Sequence, residues 1–508
     1  MSGFHVAAVH SPAQRFLRSV ATALFVGIVI GHTPVTGQES AKPQPAKAWR
    51  PSQESALKEI EGRTEELKQV NKAIWEFAEV GLEEHKSSAL LVDKLKAAGF
   101  SVKTGVSGMP TAFVASYGSG HPIIGILAEY DALPGMSQKV SGDREPVTEG
   151  APGHACGHSG LGTAALGAAL AVKAAMERQE LPGTIRLYGT PAEETMIGKV
   201  YMLLDKQFDD LDVCLHWHPS SRNGAWAGSA KAAVSVKFTF SGVAAHAAAS
   251  PDSGRSALDA VELMNVGVNF MREHVKEDAR LHYVITDGGG APNVVPAKAT
   301  VWYYVRADKH QDVEQYFEWI NDIAKGAALM TRTKVAVQID TDCHEVIVNT
   351  PLAELLAQNL KRAGTPKFTD EERAFARRLQ APLVADFQRE FKIPLFEEIE
   401  SPSASAEPSK GSTDVGDISW YVPTGGLRVV CAAEGSPGHS WQNVAAIGSS
   451  IGEKGTISAA KTLAVTALDL LEKPELLNAA REEWKRRMEG RKYTTLIPPG
   501  QKPPAKVR

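Results

Sequence analysis

The chain is poor in cysteine: Cys156, Cys214, Cys343 and Cys431 are the only 4 thiols in 508 residues. So few cannot form a disulfide scaffold. It also lacks any long block of one charge. With 55 basic and 59 acidic side chains the formal net charge is −4. No concentrated basic face is available for nucleic acid, and no nucleic-acid partner is expected. Internal repeats are missing. Past residue 37 no segment reads as long and apolar enough to cross a bilayer, which takes about 20 residues. The apolar run at 20–30 falls short of that length. It follows Arg15 and Arg18 and precedes small residues ending in Val35-Thr36-Gly37, the order of a secretory signal. Residues 1–37 are therefore expected to be a signal peptide and the protein to be exported, periplasmic or secreted. An uncleaved membrane anchor is the alternative. Residues 38–55, rich in Pro, Lys, Gln and Ala, read as a linker.

What is present is enough apolar sequence for two folded units, since single cores stop growing near ~250–300 residues. Residues 56–231 open with helical spacing (Leu57, Ile60, Leu67, Val70, Ile74, Phe77). Short β-rich runs follow, interleaved with an Ala/Gly-rich helical stretch at 160–176. Strands alternating with helices predict an α/β unit with a mostly parallel sheet. The pattern changes at 232–344, where the order β-α-β-β-α-β predicts an inserted ferredoxin-like domain. Residues 345–474 resume the α/β character. Within them 366–409 is charged and then Ser/Pro-rich, and reads as a surface excursion. Residues 475–508, basic and Pro-rich at the end, read as a loosely packed tail.

Four short segments carry metal-ligating side chains. In Gly153-His154-Ala155-Cys156-Gly157-His158, a thiol and an imidazole two residues apart can reach one ion, and Cys with His suits Zn²⁺ and related metals. In isolation such a pair is more often a buried cysteine beside an ordinary histidine. The strand at 185–188 runs into Pro191-Ala192-Glu193-Glu194, and strand C-termini are where α/β sheets place ligands. One of these adjacent carboxylates can bind metal while the other faces the substrate water. Their bland reading is a solvated helix start. Val213-Cys214-Leu215-His216-Trp217-His218-Pro219 ends another strand, and Gly435-Ser436-Pro437-Gly438-His439 sets a histidine in a turn. Together Cys156, His158, Glu194, His218 and His439 fit two divalent metal ions per subunit with shared ligands. Asp131, just past the strand at 123–128, can orient a ligand histidine. His154 and His216 read as supporting or packing residues. Asp414 either lines the cleft or caps the helix that follows.

The ordered series E-Y-D-A-L-P, H-A-C-G-H, P-A-E-E, W-H-P, G-V-A-A-H-A-A-A-S-P, S-T-D-V-G-D-I-S-W and G-H-S-W resembles the M20 metallopeptidase family. The likeness is to its amidohydrolase branch of aminoacylases, auxin-conjugate hydrolases and p-aminobenzoyl-glutamate hydrolases, and it covers roughly residues 56–471. The resemblance implies Glu193 as general base and Cys156, His158, Glu194, His218 and His439 as ligands of Mn²⁺ or Zn²⁺. It implies that 232–344 is a dimerisation or lid domain. His246 would reach a neighbouring subunit's site to hold the oxyanion, and Asn293 and Arg306 would grip the substrate's carboxylate. The implied reaction is hydrolysis of an N-acyl or N-aroyl amino acid, p-aminobenzoyl-glutamate-like, by a homodimer or with a related partner subunit. A dipeptidase with the same centre, or a non-catalytic metal-binding or assembly protein, are the alternatives. The chain departs from the branch at Ser159, where relatives carry Asp. It departs again at Thr195 and Met196, where relatives carry glycines, so the loop beside the base is expected to be stiffer and the pocket narrower.

Overall fold

The apolar spacing of the first segment makes α1 (Pro51–Gly62) and α2 (Thr64–Phe77), which bury Ile60, Leu67, Val70 and Ile74. Helix α2 follows Arg63 directly and has no side-chain cap, so packing rather than capping holds it in place. The computed structural model describes residues 48–402 and 408–506. The expected signal peptide and most of the expected linker lie outside the described residues. The linker is corrected at its end, because the first helix already begins at Pro51, a residue suited to a helix's first turn.

After α3 (His85–Ala97) come β1 (Ser101–Thr104), β2 (Phe113–Ser119) and β3 (Ile123–Ala128), then α4 (His158–Gln179), β4 (Gly183–Gly189), α5 (Gly198–Leu204), β5 (Val213–Ser220) and β6 (Asn223–Trp226). The inserted segment supplies β7 (Ala232–Ser241), α6 (Ala257–Met271), β8 (Arg280–Asp287), β9 (Lys298–Ala307), α7 (His310–Thr331) and β10 (Lys334–Cys343). The chain returns as α8 (Thr350–Ala363), α9 (Asp370–Phe387), β11 (Ile399–Glu400), α10 (Val415–Ser419), β12 (Thr424–Val430), α11 (Trp441–Ile447), α12 (Ser450–Glu472) and α13 (Pro474–Met488).

The first sheet has the order β1-β2-β4-β3-β5-β12-β6-β11. Its centre, β4-β3-β5-β12, is parallel, but β1-β2, β2-β4 and β12-β6 are antiparallel. The outer pair β6-β11 is parallel again, so the sheet is mixed and the expectation of a mostly parallel one holds loosely. Short connections around β2 and β6 return the chain at once, and no crossover helix intervenes there. The inserted segment forms a separate sheet, β10-β7-β9-β8, wholly antiparallel, with α6 and α7 packed on it, which is the ferredoxin-like βαββαβ unit.

Helix α4 is buried among α1, α12 and the sheet because its Ala and Gly residues let the backbones approach closely. It is also long and apolar enough to cross a membrane, contrary to the sequence expectation, but it is a core helix of this fold. Two further expectations are corrected. The 366–409 excursion contains α9, whose Ala376 and Leu379 make a small core with Leu395, Val430 and Ile451. Its charged residues are the solvated face of an amphipathic helix. The expected loose tail begins as α13 and continues as a strap: Leu477, Ala480 and Ile497 are buried, and Tyr493 donates to Asp417 at 2.9 Å. The larger apolar side chains described in that basic segment, Trp484, Tyr493, Leu496 and Ile497 among them, are buried or half-buried.

Candidate metal centre

Strands β3, β4, β5 and β12 point their C-terminal ends to one edge of the sheet, and the chemistry collects there. Glu129 and Asp131 follow β3, Glu193 and Glu194 follow β4, His218 lies at the end of β5, and His439 follows β12. Cys156 and His158 arrive on the loop that starts α4. Gly157 takes a φ of +83° there, a left-handed turn open to glycine.

The five expected ligands come together. One liganding atom each from Cys156, His158 and His218 lie within 4.8 Å of one another, and so do those of Cys156, Glu194 and His439. Cys156 is common to both groups. Its Sγ is 3.4 Å from His218 Nε2, and His439 Nε2 is 3.2 Å from a Glu194 oxygen. A third group joins Glu129, His158 and Glu193. His158 Nε2 and Glu194 Oε1 are buried without a hydrogen-bond partner, which a native protein seldom tolerates unless something else completes them. A donor set of one thiol, three imidazoles and a carboxylate, with two buried atoms left unpaired, fits a pair of Zn²⁺-like ions.

The electrostatics agree. Burial opposes the thiolate, but facing His218 and His158 hold Cys156 well below the usual thiol range. Burial likewise opposes charge on His218, yet Cys156 raises it to about 9. Hydrogen bonds to Cys156 and Glu194 carry His439 up to about 10. Protons thus sit among anions where a divalent cation would displace them. Burial pushes Glu194 up to about 7 and Glu193 well above the carboxylate range.

Supporting residues fix these side chains. Asp131 accepts from His158 Nδ1 at 2.9 Å and from the Glu194 amide at 2.9 Å, so His158 presents Nε2 to the centre. His154 reaches the Ile74 carbonyl, and His216 packs on Trp226; neither joins the three groups. Glu84 was not singled out by the sequence, where it is one acid in a charged run. It is fully buried, accepts from the Ala192 amide at 2.8 Å and from Thr111 at 2.9 Å, and so anchors the Glu193 turn. Lys199 was also missed. It is fully buried and joins Asp414 at 2.6 Å and Glu129 at 2.9 Å. Asp414 makes no cap hydrogen bond to α10; its side chain belongs to Lys199. Met196 takes a φ of +58°. A left-handed non-glycine costs about 1 kcal/mol. The contacts of Met196 with Thr341 and Cys343 hold it there.

Beside Glu194 and Thr195 lies a cavity of about 550 Å³, walled by Val80, Leu133 and Pro134 on one side and by Tyr283, Trp302 and Tyr304 of the inserted sheet on the other. Arg306 follows on the same face of β9. Its guanidinium lies 5.2 Å from the Tyr304 ring centre and donates to Ser412 at 3.2 Å, while its Nε is buried without a partner. His246 and Asn293 are elsewhere. Both are exposed and adjacent, the Ala247 amide donating to the Asn293 carbonyl at 2.9 Å. Among the described residues no hydrogen bond or ion pair joins them to the metal-ligand groups.

Residues 229–330 match the model of a peptidase dimerisation domain. One of the p-aminobenzoyl-glutamate hydrolase subunits of Escherichia coli (strain K12) is 40% identical over 462 residues, 86% of this chain and 96% of that protein. A Xaa-Arg dipeptidase of Mus musculus is 31% identical, over 85% of this chain and 91% of its own length. Among solved structures, an aminobenzoyl-glutamate utilization protein from Klebsiella pneumoniae superposes with a TM-score of 0.56 at 18% identity, covering 81% of this chain and 97% of that one. That last likeness speaks for the fold alone.

Proposed function

The chain belongs to the M20 metallopeptidase family, hydrolases of amide bonds, and from that premise we propose that it cleaves N-aroyl or N-acyl amino acids of the p-aminobenzoyl-glutamate kind. The observation that carries the reading is the pair of ligand triads sharing Cys156, set beside an aromatic-walled cavity. Cys156, His158, Glu194, His218 and His439 would hold two divalent ions, Zn²⁺ or Mn²⁺. Bound there, such ions polarise a carbonyl and acidify water.

The protein's own groups do the rest. Glu193 stands 3.8 Å from His158 and is not needed as a ligand in either Cys156 triad. Its carboxylate takes the proton of the attacking water and returns it to the leaving amine. Burial, which raises its proton affinity, suits that shuttle. Asp131 keeps His158 and the Glu194 backbone in register. Trp302 and Tyr304 offer flat apolar walls to an aryl acyl group. Arg306, with an unpaired buried Nε, offers a fork for the substrate carboxylate. His246 and Asn293, exposed on a dimerisation domain, complete a neighbour's site, so the working unit is a homodimer or an assembly with a related subunit. Export by residues 1–37 places the reaction outside the cytoplasm.

The dipeptidase reading draws on the name of the mouse relative. It needs an anion for the substrate's ammonium group. Glu83, at the cavity rim, lies 3.8 Å from Lys506 and is compromised for that task. The test is a panel of benzoyl- and p-aminobenzoyl-amino acids against dipeptides, assayed with Zn²⁺ and with Mn²⁺ added to chelator-treated protein. Faster turnover of the aroyl substrates is expected. Preference for free dipeptides would overturn the substrate class, and equal turnover without metal would overturn the metal centre.

A further inference from the structure

Lys199 is the only lysine or arginine buried within this acidic neighbourhood, among the described residues. Its Nζ bridges Asp414 and Glu129, and its backbone amide donates to the second oxygen of Asp414 at 2.9 Å. Asp414 comes from the chain segment beyond the inserted domain, so the contact ties both halves of the catalytic domain behind the centre. The lysine is placed by Gly198, where a Cβ would fall 1.9 Å from the Pro191 carbonyl oxygen; α5 can therefore start hard against the Glu193 turn. One Glu129 oxygen is spent on Lys199. The other is buried, has no hydrogen-bond partner, and faces His158 Nε2 at 3.4 Å, itself unpartnered. Glu129, His158 and Glu193 can together reach one point. With one oxygen held by Lys199, Glu129 stands at the edge of that point; released, it could turn and bring its carboxylate fully in as a sixth ligand beside His158, crowding Glu193.

We propose that Lys199, braced by Asp414, is a positioning residue that restrains Glu129 from entering the metal shell, leaving coordination sites open for substrate and water. The inference rests on the metal-centre reading above. Carboxylates bind hard and borderline cations readily, and a fixed ammonium at 2.9 Å satisfies the charge of Glu129 without a metal.

The test uses full-length Lys199→Met with Co²⁺ in place of the native ions, read by visible absorption, whose intensity falls as coordination number rises. Expected are weaker ligand-field bands than wild type, zinc affinity at least equal to wild type by chelator competition, and kcat lower by about 10–100-fold with KM little changed. Glu129→Gln added to Lys199→Met should return the bands toward wild type, and Lys199→Arg should keep them. If Lys199→Met fails to fold, Lys199→Met/Asp414→Asn removes the cation together with one anion and still frees Glu129. An unchanged cobalt spectrum in the folded variant, or metal affinity lost in step with activity, would show a merely structural ion pair and overturn the inference. Wild-type protein that takes up neither Co²⁺ nor Zn²⁺ removes the metal-centre reading and this inference with it.

Discussion

Two regions contain the residues expected to act, and they differ in kind. At the C-terminal edge of the first sheet, Cys156, His158, Glu193, Glu194 and His218 are largely enclosed; Asp131 holds His158 and the Glu194 amide, and Glu84 the Ala192 amide before Glu193, through hydrogen bonds of 2.8–2.9 Å. On the inserted domain, His246 and Asn293 stand in the open and meet chiefly their own loop. The same domain exposes Phe270 and Val266 on α6 and Val284 and Ile285 on β8. A single soluble chain rarely keeps such apolar surface without a use for it. Burial with braced partners marks chemistry that one protomer assembles for itself. Exposure on an apolar, strand-edged domain suits the role proposed for His246 and Asn293 in a neighbour's site.

The comparison breaks most visibly at the enclosed centre. Cys156→Ala removes the ligand common to both triads, and metal content and turnover should vanish together. Glu193→Gln keeps the shape but cannot accept a proton at neutral pH. Metal content should persist while the rate falls by about 10²–10⁴-fold. Metal analysis beside turnover checks both. If Glu193→Gln strips the metal, the two adjacent glutamates have exchanged roles.

A next smaller effect probes the open region. His246→Ala should slow the reaction by about 10²–10³-fold through loss of one oxyanion donor. Mixing it with Glu193→Gln and letting subunits exchange should restore up to about a quarter of wild-type turnover. Half the dimers are then hybrids, each with one complete site. No recovery after verified exchange would place His246 in its own subunit's site or outside any site.

The two regions were also unequally legible in the sequence. The metal-centre side chains stand in short motifs at strand ends, where period-2 patterning and turn residues fix their place. That is why five residues scattered over 156–439 could be grouped before any geometry. The inserted domain was legible as βαββαβ for the same reason. Of the braces, Asp131 was legible from its place just past a strand, whereas Glu84 and Lys199 were not. Glu84 sits in a charged run that looks solvated, and Lys199 is a single charge in an apolar stretch with no partner nearby in sequence; only tertiary packing turns them inward and pairs them. Asp414 was ambiguous because a carboxylate just before a helix has a local explanation, capping, that the distant Lys199 overrides. The antiparallel pairs of the sheet, β1-β2, β2-β4 and β12-β6, were not legible because strand order is not local. The end of the chain was misread because Tyr493, Leu496 and Ile497 are too sparse to show periodicity.

The smallest expected effect lies between the two regions, where the chain leaves the inserted domain. There His344 stacks on His310 with ring centres 3.7 Å apart and on Tyr493 at 4.4 Å, and shares a 2.6 Å hydrogen bond with the Thr494 carbonyl. Burial first, then His310, pushes His344 down to about 3. The folded protein therefore keeps it neutral where the unfolded chain, titrating near 6.5, takes up a proton. Stability from this group is present above about 6.5 and is lost as pH falls toward 3. Between pH 7 and 5 the loss comes to about 2 kcal/mol. His310 works in the opposite sense: burial opposes its charge, but its hydrogen bond to Asp342 raises it, so its contribution fades as pH rises. His344→Phe preserves the stack and removes the titration. It should lower stability at pH 7 by about 1 kcal/mol through loss of the Thr494 bond, and it should flatten the decline between pH 7 and 5. Thermal unfolding of both proteins at the two pH values reads this as a difference of differences. An identical decline in the variant would mean that His344 already titrates normally in the folded state, and that the junction between centre and inserted domain is looser than its packing implies.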